Sequence, residues 1–124
     1  KRSIQPRAGL WTLPAGFLEN GETVAAGALR ETTEEANANA EILELYTLFS
    51  LPHISQVYMF YRALLLDLDF SPGEETLETQ LFAESEIPWD ELAFPVITQT
   101  LQHYYEDRKT GSFPIRSLEI IIDQ

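Results

Sequence analysis

The chain has 124 residues, among them 20 Asp and Glu, 8 Lys and Arg and no Cys, so its formal net charge is -12 at neutral pH. This length suits one domain with a real core, and a content of 44% hydrophobic and 11% aromatic residues excludes a disordered acidic tail. The lack of Cys excludes disulfides and thiolate zinc sites from these residues. The negative charge disfavours binding to a nucleic acid polymer or to an anionic membrane surface.

The acidity of the chain has two interpretations, which the spacing of the carboxylates must separate. Scattered carboxylates form a solvated surface that promotes solubility, whereas grouped carboxylates can bind a divalent cation. The longest apolar run, residues 63–66, is far too short to cross a bilayer, and the N-terminus has no stretch that resembles a signal peptide. We therefore expect a soluble, cytoplasmic protein.

The first third of the chain predicts a strand, a tight loop and a helix. Residues 10–13 alternate weakly and are followed by a Pro and a Gly, which is typical of a short strand entering a loop. Residues 23–36 hold no Pro and are rich in Ala, Leu, Arg and Glu, which predicts a helix capped at Thr23. Asn37 is a suitable left-handed residue after the end of this helix.

The remaining elements predict a mixed α/β arrangement. In chain order they are β-like runs over 41–51 and 56–68, a loop over 70–76, a further strand candidate over 80–83, a helix over 94–108 closed by Gly111, and a short strand or docked apolar segment over 117–122. Mixed strands and helices without strict βαβ repeats indicate an α/β (α+β) fold with a mixed sheet between helices. We find no repeat or linker, so residues 1–124 are treated as one domain.

Three carboxylates fall on one face of the first predicted helix. Glu31, Glu34 and Glu35 are related by i, i+3 and i+4, so they occupy an arc of about 100°. Like charges at these spacings repel by a few tenths of a kcal/mol per pair, and negative charge in the C-terminal half of a helix opposes its macrodipole. A solvated acidic face is the ordinary explanation. Local rules broken without local compensation favour a functional site, because divalent cations would remove both penalties.

The wider pattern resembles the signature of the Nudix hydrolases. That signature is a loop, helix and loop in which one Gly, a Glu and an Arg-Glu-x-x-Glu-Glu core stand at fixed spacing. The matching residues are Gly16, Glu22, Arg30, Glu31, Glu34 and Glu35. Two positions depart from it: Thr32 replaces a more common apolar residue, and Asn37 replaces the second Gly. Neither departure removes a carboxylate.

The resemblance implies a Nudix α/β/α sandwich, a divalent cation and a set of catalytic roles. Mg²⁺ or Mn²⁺ would be bound by Glu34 and Glu35, with Glu31 as a third ligand or as the base that activates water. The carbonyl of Gly16 would be a further ligand. Glu22 and Arg30 would fix the loop against the helix, and Glu22 could reach the metal through water. The implied reaction is hydrolysis of the diphosphate bond of a nucleoside diphosphate linked to another group.

Further segments are similar to bacterial Nudix proteins related to the plastid enzyme that cleaves FAD and ADP-ribose. These segments are residues 11–17, 55–58, 81–82, 86–89 and 92–94. The similarity implies a small nucleoside diphosphate derivative as substrate, cleaved to AMP and a phosphorylated product. Hydrolysis of damaged nucleoside triphosphates, and nucleotide binding with weak or no turnover, are the alternatives that we keep.

Aromatic and basic residues near the expected pocket are candidates for substrate binding. Trp11, Phe17 and Tyr58 could stack on adenine or flavin, although core packing is the commoner role of such residues, and Arg62 could contact phosphate. Members of the similar group often carry an N-terminal zinc ribbon, and the Nudix fold places a strand before its signature. We therefore expect that the domain lacks its N-terminal segment here. A homodimer stays open, since many relatives form one.

Overall fold

The computed structural model of the chain describes residues 1–122, which form two α-helices and three β-strands. In chain order these are α1 (Val24–Ala36), β1 (Ala40–Leu51), β2 (Gln56–Leu65), α2 (Pro95–Thr110) and β3 (Arg116–Glu119). Three single turns of 3₁₀ helix, at Pro52–Ile54, Glu84–Glu86 and Trp89–Glu91, lie in the connections. Neither α-helix of the described range is long and apolar enough to span a bilayer.

The three strands form one mixed sheet with β1 in the centre. Strand β2 pairs with β1 in antiparallel orientation, and β3 pairs with its other edge in parallel orientation. Thr47 of β1 therefore lies between Phe60 of β2 and Arg116 of β3. Helix α1 packs against β1 and β2. The predicted α+β class with a mixed sheet is confirmed.

The core lies where α2 packs against the sheet. Its buried side chains are Phe49 and Leu51 of β1, Phe60 of β2, and Val96 and Ile97 of α2. The rings of Phe49 and Phe60 meet edge to face with their centroids 6.1 Å apart, an arrangement that aromatic pairs prefer. Burial of these side chains fixes the helix on the sheet.

One buried polar cluster connects α2 to β1 and β3. Asp107, 7% exposed, accepts hydrogen bonds from both terminal nitrogens of Arg116, at 2.5 and 2.8 Å, and from the hydroxyl of Tyr46. The guanidinium of Arg116 also donates to the Tyr46 hydroxyl, at 3.2 Å. Because every charge has a partner, the cluster avoids the penalty of burying an unpaired ion.

Two of the predicted strands do not form. Within residues 10–13 only Trp11 makes a β-bridge, an isolated parallel one to Leu92. Residues 80–83 are also irregular, because Phe82 packs its ring edge to face against Trp11, with centroids 5.0 Å apart, instead of entering a ladder. These apolar residues serve side-chain packing, which local alternation cannot distinguish from strand pairing.

The ends of other elements also shift. Strand β2 ends at Leu65, three residues before the predicted end, and β3 covers residues 116–119 instead of 117–122. Helix α2 begins at Pro95, whose fixed φ suits the first turn, and ends before Gly111 at φ 76°. Side chains of α1 and α2 face a common cavity of about 310 Å³. Its wall includes Leu13, Ala36, Leu65, Ile97 and Leu101.

Candidate active site

The site is built on helix α1, which begins and ends as its sequence predicts. Thr23 is the N-cap, and its side chain accepts a hydrogen bond from the backbone N–H of Ala26 at 3.1 Å. Asn37 closes the helix in the left-handed conformation, with φ 46°. These two ends define the 13-residue helix that carries Arg30 and three of the carboxylates.

Arg30 is the centre of the carboxylate cluster. Its Nε lies 2.7 Å from a carboxylate oxygen of Glu22, and its Nη1 lies 2.7 Å from Glu31 and 3.2 Å from Glu34. Its Nη2 donates to the carbonyl oxygen of Phe17 at 3.0 Å. A planar guanidinium can make all these contacts at once, which a lysine cannot do. Arg30 thereby joins the loop before α1 to the acidic face of the helix.

Glu22, in the loop before α1, forms an ion pair with Arg30 of the helix. Hydrogen bonds from Arg30, with a further one from the backbone N–H of Glu19 at 3.1 Å, hold the pKa of Glu22 below its ordinary value. The carboxylates around Arg30 raise its own pKa further above the ordinary range. The predicted roles of these residues in catalysis stay predictions.

Glu35 lines the cavity between the helices, and its pKa is raised. Burial is the main cause that raises the pKa of Glu35 to about 7, and a hydrogen bond with Glu31 is the second. The hydrogen bond from the backbone N–H of Ala15 lowers this pKa and so partly opposes them. That N–H lies 3.3 and 3.4 Å from the two carboxylate oxygens. Two carboxylates that approach in a poorly solvated place favour retaining a proton. A cation between the two carboxylates would favour their ionised forms.

Gly16 and Gly27 let the loop lie close to the helix. A Cβ at Gly16 would overlap the carboxylate of Glu31. At Gly27, inside α1, a Cβ would lie 2.6 Å from the side chain of Leu18 and 3.0 Å from a carboxylate oxygen of Glu22. A glycine inside a helix costs about 1 kcal/mol relative to alanine. This unusual position was the signal in the sequence that could have marked Gly27.

The donor chemistry of the cluster fits a hard divalent cation. Glu31, Glu34, Glu35 and the carbonyl of Gly16 offer only oxygen, which Mg²⁺ prefers. Within residues 1–122, however, no three acidic or histidine side chains are already grouped as a ligand set. In this structure Glu31 and Glu34 are paired with Arg30, at 2.7 and 3.2 Å.

The predicted substrate-binding residues lie in different surroundings. Phe17 follows the glycine loop and is 81% exposed, whereas Trp11 lines the cavity between the helices. Tyr58 packs against the core and stacks on Phe60 at 6.5 Å, and Arg62 pairs with Glu44. Among the residues that the structure describes, no hydrogen bond or ion pair joins Tyr58 or Arg62 to the carboxylate cluster. Substrate binding by these four residues stays a prediction.

Comparison with known proteins decides the family. The profile of the NUDIX domain matches residues 1–109. The chain belongs to the Nudix family. A crystal structure of a NUDIX hydrolase from Nitrosomonas europaea superposes with a TM-score of 0.90 at 58% identity, covering 97% of this chain and 69% of that one. The resemblance of the signature and the expected Nudix fold are thereby confirmed.

Two of the similar curated proteins are named after different substrates. An ADP-ribose pyrophosphatase of Methanocaldococcus jannaschii is 30% identical over 76% of this chain and 57% of its own. Nudix hydrolase 10 of Arabidopsis thaliana is 32% identical over 59% of this chain and 27% of its own. A putative 8-oxo-dGTP diphosphatase 3 of Mycobacterium tuberculosis is 32% identical over 65% of this chain and 41% of its own. The chain thus spans between about a quarter and somewhat more than half of these relatives.

Proposed function

We propose that this Nudix domain hydrolyses the diphosphate bond of a nucleoside diphosphate linked to another group, with a divalent cation. ADP-ribose and FAD are the first candidates, and each would give AMP and a phosphorylated product. The observation that carries the proposal is the grouping of Glu31 and Glu34 around Arg30, next to Glu35 and the loop of Gly16. These carboxylates would supply an all-oxygen donor set, which supports the proposal of a divalent cation.

The residues of the cluster would divide the work. Glu31, Glu34, Glu35 and the Gly16 carbonyl would hold Mg²⁺ or Mn²⁺, which when bound supplies positive charge for the phosphate oxygens and acidifies water. Arg30 orients Glu31, whose carboxylate lies 2.7 Å from Nη1 and could also accept a proton from water. Glu22 holds Arg30 in place from the loop.

Positive charge from a cation also explains how an acidic protein would accept an anionic substrate. The net charge of -12 repels a diphosphate at long range, but a bound divalent ion reverses the local sign. Aromatic stacking by Trp11, Phe17 or Tyr58 would bind the base or flavin, and Arg62 a phosphate. Phe17 is the best exposed of these side chains, and its own carbonyl is held by Arg30.

The substrate class is supported by one relative and opposed by another. The Methanocaldococcus jannaschii relative is named an ADP-ribose pyrophosphatase, which supports a nucleoside diphosphate derivative. The Mycobacterium tuberculosis relative is named a putative 8-oxo-dGTP diphosphatase, which favours the triphosphate alternative. Product analysis separates them: AMP from ADP-ribose supports the first proposal, and release of inorganic diphosphate from a nucleoside triphosphate supports the second.

The decisive test is substitution of the proposed metal ligands. We expect Glu34→Gln and Glu35→Gln each to lower kcat/KM for ADP-ribose by at least about 100-fold, because an amide is a weaker ligand than a carboxylate. Glu41→Gln removes the same charge at an exposed position of β1 and serves as the control. Full activity in both cluster variants would overturn the metal-site proposal. Calorimetric binding of ADP-ribose without cleavage would favour the binding-module alternative.

A further inference from the structure

The C-terminal end of α1 is bound by the loop that follows β2. The last carbonyls of a helix have no partner within the helix. Here the backbone N–H of Ser71 donates to the carbonyl of Ala36 at 2.9 Å, and the N–H of Gly73 donates to that of Glu35 at 3.1 Å. Residues 71–73 thus continue the hydrogen bonding of the helix at the turn that carries Glu34 and Glu35.

The backbone of Gly73 lies directly against the backbone of these two carboxylate residues. A Cβ at Gly73 would overlap the carbonyl oxygen of Glu34 and would lie 3.0 Å from its carbonyl carbon and 3.3 Å from the Cα of Glu35. The neighbouring atoms belong to a helix backbone, so they cannot rotate away as the end of a side chain can. Close approach of the two backbones therefore requires glycine at this position.

Asn37 makes two separate contributions to the same contact. Its backbone adopts the left-handed conformation that ends the helix. Its side-chain Nδ2 lies 3.1 Å from the carbonyl oxygen of Ser71, 3.2 Å from the Ser71 hydroxyl and 3.2 Å from the carbonyl oxygen of Pro72. A glycine at position 37 would supply the backbone conformation alone, whereas asparagine also binds the loop.

We propose that Asn37 and Gly73 are positioning residues that fix Glu34 and Glu35 for the reaction, a role that rests on the function proposed above. Arg30 holds the side chain of Glu34, and the backbone N–H of Ala15 holds that of Glu35, but the direction of each side chain starts from the backbone. The contact with residues 71–73 fixes that backbone at its last turn. A displacement of about 1 Å in a catalytic group can reduce the rate about 100-fold, so a small shift here would matter.

Three variants separate this role from a general loss of stability. Asn37→Gly keeps the helix end and removes the amide contacts, and Gly73→Ala forces the loop away from Glu34. Gly111→Ala is the matched control, because Gly111 ends α2 at φ 76° with no atom within 4 Å of its missing Cβ. Its strain therefore destabilises the protein without touching α1. For each variant we would measure three properties. These are the Mn²⁺ affinity without substrate, kcat and KM for ADP-ribose, and the amide hydrogen exchange of Ser71 and Gly73.

We expect Asn37→Gly and Gly73→Ala to weaken Mn²⁺ binding and lower kcat by about tenfold, as substitutions behind metal ligands do, with KM changed less than about threefold. Exchange at Ser71 should accelerate in both variants. Gly111→Ala should lower the melting temperature and leave Mn²⁺ affinity and kcat as in the wild type.

Two results would overturn the inference while the proposed function stands. In the first, the wild type is active and both Asn37→Gly and Gly73→Ala keep full Mn²⁺ affinity and kcat. In the second, Gly111→Ala loses as much Mn²⁺ affinity and kcat as these two variants do. A wild type that neither binds Mn²⁺ nor hydrolyses nucleoside diphosphate derivatives would overturn the proposed function itself. Rapid exchange of Ser71 and Gly73 in the wild type would show that the loop does not bind the helix end at all.

Discussion

Arg30 connects more groups of the site than any one of the carboxylates around it. It contacts the carbonyl of Phe17 in the loop and the side chains of Glu22 and Glu31, with distances of 2.7 to 3.0 Å. The side chain of Arg30 is 21% exposed, and its bonds to carboxylates are charge-assisted, which makes them stronger than bonds between neutral groups. Loss of such a bond would leave a partly buried carboxylate without its partner.

We therefore expect Arg30→Lys to lower kcat/KM by at least about tenfold although it keeps the positive charge. A lysine ammonium is a point donor that cannot bind Glu22, Glu31 and the Phe17 carbonyl together. Steady-state kinetics on ADP-ribose would measure the effect, with Arg108→Lys on the exposed side of α2 as the control. Equal activity of the two variants would contradict this role.

The sequence predicts the acidic side chains of the site but not the backbone groups that hold them. The spacing of Glu31, Glu34 and Glu35 places them on one helix face, because helical geometry alone determines the arc. The N–H of Ala15 and the carbonyl of Phe17 are groups that every residue has, so no residue type marks their roles. Only the path of the loop brings them to the helix.

Among the elements, β1 and α2 share a buried polar contact inside an apolar interface. The hydroxyls of Thr47 and Thr100 lie 3.0 Å apart, and both residues are buried. If one hydroxyl is removed, the other stays buried and has neither a protein partner nor water to replace the lost hydrogen bond. Replacement of both hydroxyls by methyl groups leaves no unsatisfied group.

A double-mutant cycle tests this contact. We expect Thr47→Val and Thr100→Val each to lower the free energy of unfolding by about 1 to 3 kcal/mol, and the double variant to cost clearly less than the sum. Urea denaturation of the four proteins measures the coupling. Strict additivity would show that the two hydroxyls do not depend on each other.

The helices and strands that have a clear hydrophobic period and clear capping residues are the ones that the sequence predicts most accurately. Both helices are predicted with ends correct to within two residues, since Thr23, Asn37 and Gly111 mark their termini. The strand expected over 80–83 is wrong, and the ring of Phe82 in this segment packs against the distant ring of Trp11. Pairing partners are chosen by tertiary contacts, which short alternation does not encode.

At the scale of the whole molecule, the ion pair of Asp107 and Arg116 links the stability of the fold to pH. Hydrogen bonds from Arg116, and then from Tyr46, lower the pKa of Asp107 from 3.8 to about 2. Burial opposes this shift, and the nearby His103 lowers the pKa slightly further. A carboxyl group whose pKa is lower in the folded state stabilises the fold when it is ionised. Its contribution is complete above the unfolded pKa.

We accordingly expect stability to fall between about pH 4 and pH 2, as protonation of Asp107 removes the ion pair. In Asp107→Asn this part of the pH dependence should disappear, while stability at pH 7 is lower than in the wild type. Urea denaturation at a series of pH values measures both. An unchanged slope below pH 4 in the variant would assign the acid sensitivity to other carboxylates.

The parallel pairing of β1 with β3 has a consequence for synthesis on the ribosome. Arg116 lies 70 residues after Tyr46, so the second edge of the central strand is covered only after these 70 residues have been synthesised. Until then, β1 presents unpaired backbone groups next to core side chains such as Phe49, a situation that invites association between nascent chains. The helix with the carboxylates can form as soon as it has been synthesised, but the sheet on which it packs gains its third strand only after residues 116–119 have been added.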